Sequence, residues 1–146
     1  MVVLVVLFGS WVILRGIGLL GVAALATWRD TARYALAVMF AFTGVAHFTT
    51  IRHDMARMIP SVFPQKMFIV YVTGVLEILG AAGLLIPRFR SLSGICLILL
   101  LIAMFSANVN AALNHVTLLG KPPMALWLRT PMQILLIGLI WWTSNP

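Results

Sequence analysis

The chain has 146 residues, 62% of them hydrophobic and only 9% charged, with a formal net charge of +7. A soluble domain of this length draws roughly a quarter of its residues from charged types, so this composition points to an integral membrane protein. The ten Lys and Arg are scattered singly or in pairs between apolar runs, which excludes a basic nucleic-acid-binding face and reads as the flanks of membrane helices.

The first apolar run, Val2 to Trp28, lacks the basic leader of a signal peptide, although Ala24-Leu25-Ala26 fits a cleavage pattern. Its length and its positive flank at Arg29 and Arg33 predict a retained membrane helix, taken as residues 1–28. Arg15 falls inside it and either snorkels or serves as a second partner for Glu77 in a later span. Four further spans are predicted within residues 29–146: Arg33 to Phe48, Met67 to Ile86, Leu92 to Leu113, and Met124 to Trp142. Pro87, Pro122 and Pro123 punctuate the connections, and Pro131 is a candidate kink in the last span. The fold class expected is all-α, a polytopic helical bundle.

Between the second and third spans, residues 49–66 interleave Met55, Met58, Ile59, Val62 and Phe63 with Arg52, Asp54 and Arg57. That pattern predicts a short amphipathic helix from His53 to Met58 lying along the membrane face. A methionine metal box needs converging sulfurs, which spacing alone does not supply. Cys96 is the only cysteine, and it reads as a small buried hydrophobe. His53 and His115 sit in loops, and no haem, iron–sulfur or zinc ligand pattern is present. Trp127, Trp141 and Trp142 mark the ends of the last span, as an aromatic belt does.

With five spans the termini fall on opposite sides. The short basic turns at Arg29/Arg33 and Arg88/Arg90 are placed in the cytoplasm, the N-terminus outside and the C-terminus inside. Four Lys or Arg lie on each face, so the weight rests on the turn after the first span.

Aligning the spans by depth brings six polar residues toward one side: His47, Glu77, Asn108, Asn110, Arg129 and Gln133. Glu77 and Arg129 differ in depth by about 7 Å on a 1.5 Å rise, and an isolated charge in hydrocarbon costs several kcal/mol, so the two are expected to pair. Gly74 and Gly80 beside Glu77, and Gly44 one turn before His47, leave room for close helix approach. Such a cluster is either a register lock for the bundle or a site for a ligand or a proton.

"GVAHF" at Gly44, "MARMIPSVFP" at Met55, "YVTGVLEILGAAGLLIPRFR" at Tyr71, "ANVNAAL" at Ala107 and "LWLRTPMQ" at Leu126 together resemble the DoxX-like small membrane proteins of bacteria. Ser106 and Asn110 depart from that pattern. The resemblance implies a four-helix membrane core in the last four spans, with the first span as an addition, in a bacterial inner membrane. It also implies a subunit or scaffold of a redox or assembly system, contacting a protein partner or a second copy of the chain. A quinone-linked oxidoreductase component, with a lipophilic ring near His47, Glu77 and Arg129, is the alternative. A small transporter is the third reading, weakened by the lack of an inverted repeat. Apart from that quinone, no cofactor is expected.

Overall fold

The computed structural model describes residues 2–145, which form six α-helices and no strand-built sheet. They are α1 (Val2–Leu19), α2 (Trp28–Ala46), α3 (Arg52–Met58), α4 (Lys66–Leu85), α5 (Arg90–Leu113) and α6 (Leu126–Ser144). Three of them, α1, α4 and α5, are long and apolar enough to cross a membrane. The other two long helices dilute their apolar runs: α2 carries Arg29, Asp30 and Arg33 near its start, and α6 carries Arg129, Pro131 and Gln133.

The first apolar run is not one helix. It stops at Leu19, turns through Gly21 at φ +98°, and makes a short 3-10 turn at Ala23–Leu25 before α2 begins. A positive φ is routine only for glycine, so Gly21 marks where the chain reverses. Arg15 does not reach into the bundle. Its guanidinium donates to the Ala26 carbonyl at 2.8 Å and lies 4.9 Å from the Trp28 ring, so the long side chain runs back along α1 to the turn.

The helix α2 is capped at its start by Thr27, whose hydroxyl accepts from the Asp30 backbone N–H. It is the hub of the molecule, packed on α1, α4 and α6. A broad face is consequently buried, with Ala32, Ala35, Leu36, Met39 and Phe40 closed off from solvent. The helices α2, α4, α5 and α6 form a ring in that order, closed by α6 against α2, while α1 lies outside against α2. Leu7 of α1 joins Leu36, Phe40, Leu84, Leu97, Leu136 and Ile140 in one continuous core. The outward faces remain apolar, among them Val5, Val12, Leu79, Leu99, Ile102 and Ile134. Cys96, expected to be buried, is exposed because it lies on the outward stripe of α5 between Leu92 and Leu99. The helix α6 runs through Pro131 without interruption, so the Trp127 carbonyl lacks its usual helical donor.

The short helix expected at residues 53–58 is present as α3 and packs on α4 and α5. Met55 and Met58 are half-buried, and two side chains clamp the segment. The Asn110 amide donates to the Met58 carbonyl at 2.8 Å, and Asp54, ion-paired with Arg57, accepts from the Leu119 N–H at 2.8 Å. Leu119 and Gly120 both have positive φ in the turn between Leu118 and Lys121. A left-handed leucine costs free energy, and the Asp54 bond offsets part of that cost.

Candidate functional site

The turn of α2 that ends at Ala46 meets α4 where both helices carry glycine. A Cβ added at Gly74 would lie 2.6 Å from the His47 Cβ and 3.1 Å from the Gly44 carbonyl oxygen. One added at Gly44 would lie 3.0 Å from the Gly74 carbonyl oxygen. The backbones therefore approach to a distance that no side chain permits, as the glycine spacing suggests. On its other side α4 turns Gly80 toward Leu97 of α5, so small residues serve both of its neighbours.

The crossing traps an ionisable pair. His47 caps the C-terminus of α2, and its Nδ1 lies 2.8 Å from the Val70 carbonyl. A carbonyl only accepts, so Nδ1 carries the proton, and in a neutral ring Nε2 is a lone pair. That Nε2 faces Glu77 Oε1 at 3.8 Å. His47 and Glu77 are each 3% exposed, which leaves each as the other's ionisable partner in the interface. The Thr73 hydroxyl lies 3.2 Å from Nδ1 and 2.9 Å from the Ile69 and Val70 carbonyls, while the Thr43 hydroxyl, bonded to the Phe40 carbonyl, flanks the carboxyl. Glu77 Oε2 is buried with no hydrogen-bond partner among the described residues. At 3.8 Å, Nε2 and Oε1 are in ion-pair range but beyond a hydrogen bond, and one proton on either group leaves the pair without net charge, as acid and imidazole or as carboxylate and imidazolium.

The six-residue cluster expected from depth is not one site. Glu77 makes no ion pair with Arg129 among the described residues; its partner is His47. The reason is the order of the ring. The helices α4 and α6 are diagonal, separated by α2 and α5, and Glu77 is turned toward α2. Arg129 is half-buried, its Nε closed off and without a hydrogen-bond partner among the described residues. Gln133 donates instead to the Leu101 carbonyl at 2.6 Å, tying α6 to α5. Asn110 serves α3, as above, and Asn108 makes no side-chain hydrogen bond among the described residues. His53 and His115 are exposed, and no group of three or more His, Cys, Asp or Glu that could hold a metal occurs among the described residues.

Thr43 was absent from the sequence-derived cluster, yet a signal for it exists. A threonine precedes each member of the pair by four residues, Thr43 before His47 and Thr73 before Glu77, which puts each hydroxyl on the same helix face as its ionisable group.

A family described as Domain of unknown function (DUF8561) matches residues 36–144, from within α2 to the last turn of α6. No curated protein and no solved structure matches the chain.

Proposed function

The chain belongs to the family described as Domain of unknown function (DUF8561), and we propose that it is a non-catalytic subunit or scaffold of a membrane-associated redox or assembly system. In this reading all five long helices span a bacterial inner membrane, with the N-terminus outside. The four-helix ring is a DoxX-like core, and α1 is an added helix. Exposed tryptophans near helix ends, Trp28, Trp127, Trp141 and Trp142, support that placement as interfacial anchors. Part of the apolar outer surface then meets lipid and part meets a partner protein or a second copy of the chain.

One observation carries the scaffold reading. The two ionisable side chains buried deepest between α2 and α4 act on each other, His47 against Glu77, with Nδ1 held by the Val70 carbonyl and the ring pressed on Gly74. A polar pair at a glycine crossing fixes the register of two helices, because a slip of one turn strands a charge in an apolar interface. A quinone-linked component is favoured by a different feature, the unpartnered Oε2 of a Glu77 carboxyl whose other oxygen faces the His47 ring, a group that offers a proton and a hydrogen bond to a carbonyl.

Quinone content and a paired substitution separate the two readings. Purified in mild detergent, the unaltered chain is expected to carry far less than one quinone per molecule. The combined His47→Phe and Glu77→Gln variant is expected to keep folding, assembly and cellular activity, because neutral groups of similar size replace the whole pair. Stoichiometric quinone that disappears in His47→Phe would overturn the scaffold reading.

A further inference from the structure

The end of the bundle opposite His47 gathers positive charge around an open cavity of about 290 Å³, lined by Arg29 and Arg33 of α2, Arg90 and Ser91 of α5, and Asn145 after α6. A second cavity of about 270 Å³ shares Arg33 and Arg90. Their donors are only partly used. Arg29 Nε donates to the Trp142 carbonyl at 2.9 Å, and Arg33 donates through Nε to the Thr143 carbonyl at 3.1 Å and through one terminal nitrogen to Asp30 at 2.8 Å. Arg90 Nε is buried with no hydrogen-bond partner among the described residues. Among the described residues Asp30 is the one acidic side chain lining the cavities, already held by Thr27 and Arg33, so three guanidiniums there face one side-chain carboxylate.

We propose that this arginine-lined cavity binds a phosphate anion, supplied by the headgroup of an anionic phospholipid. Guanidiniums present planar pairs of N–H donors that match phosphate oxygens, and converging arginines are stabilised by a shared anion. The N-termini of α2 and α5 both open on this end, adding the favourable ends of two helix dipoles. The larger volume equals roughly ten waters at about 30 Å³ each, which accommodates a phosphate with part of its glycerol. The level of the cavity favours lipid over a soluble ester. Trp28, Trp141 and Trp142 are exposed next to it, where the headgroup layer lies if the long helices span a membrane. The lipid source rests on that membrane reading; the anion site does not, and neither depends on the role of His47 and Glu77.

The test measures lipid retention by native mass spectrometry and thermal stability in detergent, with phosphatidylglycerol, phosphatidylcholine or inorganic phosphate added. Phosphatidylglycerol is expected to raise the melting temperature by several degrees and to remain bound. Phosphatidylcholine is expected to do neither, since its choline meets arginines. Arg90→Gln should reduce phosphatidylglycerol retention at least fivefold. Arg88→Gln, an exposed position on the same turn that does not line either cavity, should leave it within twofold. Stabilisation by inorganic phosphate equal to that by phosphatidylglycerol, and lost in Arg90→Gln, supports the anion site with a soluble source. Equal retention of the two lipids by the unaltered chain, or equal losses in Arg88→Gln and Arg90→Gln, overturns the proposal. If Arg90→Gln fails to fold, the unaltered chain still decides by its preference between the two lipids.

Discussion

Gly74→Ala adds one methyl group where α4 crosses α2, and its cost follows from what that methyl meets. The new carbon would sit 2.6 Å from the His47 Cβ and 3.1 Å from the Gly44 carbonyl oxygen. Neither atom is the free end of a flexible side chain: one is fixed by the α2 backbone and the other belongs to it. The helices must separate, and forced overpacking of this kind costs about 1–3 kcal/mol. Separation also lengthens the bond from His47 to Val70, worth about 1 kcal/mol when made and more when a buried donor is left alone. Against this, alanine gains about 1 kcal/mol over glycine inside a helix. The balance is a net loss of about 1–3 kcal/mol. Gly138→Ala is the matched control, because nothing lies within 4 Å of its added carbon in α6, so only the helix preference remains and the sign reverses. Thermal unfolding of detergent-purified variants, followed by loss of the monodisperse peak in fluorescence-detected size exclusion, is the assay. For a chain of this size about 1 kcal/mol shifts the midpoint by roughly 3 °C, so the two variants should differ by roughly 6–12 °C. Equal midpoints for Gly74→Ala and Gly138→Ala would refute the close crossing and, with it, the account of why His47 and Glu77 meet.

Three other outcomes follow from the same geometry. A double-mutant cycle on His47→Phe and Glu77→Gln should give a coupling of about 0.5–3 kcal/mol, whereas one on Glu77→Gln and Arg129→Met should stay below about 0.5 kcal/mol; the reverse order would restore the Glu77–Arg129 pair. Asn110→Ala removes the donor that holds the Met58 carbonyl and should raise hydrogen exchange across Arg52–Met58 without changing α4, so unchanged exchange there would discount the clamp. In a Cys96→Ala background, a membrane-impermeant thiol probe added outside intact cells should label a cysteine placed at Ser61 and not one at Ser91. Labelling of both would break the five-span arrangement.

Much of the architecture was legible in the sequence because it depends on one dimension. Apolar length, proline punctuation and the basic turns locate α2, α4, α5 and α6 to within a few residues, and the alternation at Arg52–Met58 marks α3. The glycines at 44 and 74 also signalled close approach, since absence of a side chain is itself the cause. Depth along a helix follows from counting residues at 1.5 Å each, and that placed His47, Glu77 and Arg129 toward one side. Counting does not tell which helix stands beside which. That order was decided by packing, which set α4 against α2 and made α6 diagonal to α4, so Glu77 met His47 while Arg129 and Gln133 were turned elsewhere. The early end of α1 at Leu19 has the same origin. Its apolar run continues to Trp28, but burying Leu7 against α2 requires the chain to reverse, and Gly21 supplies the conformation that lets it. The arginine-lined cavity is the clearest case of what tertiary structure alone decides. Arg29, Arg33 and Arg90 read along the chain as separate flanking charges, and they converge only because α6 brings its last turn, carbonyls outward, between the ends of α2 and α5.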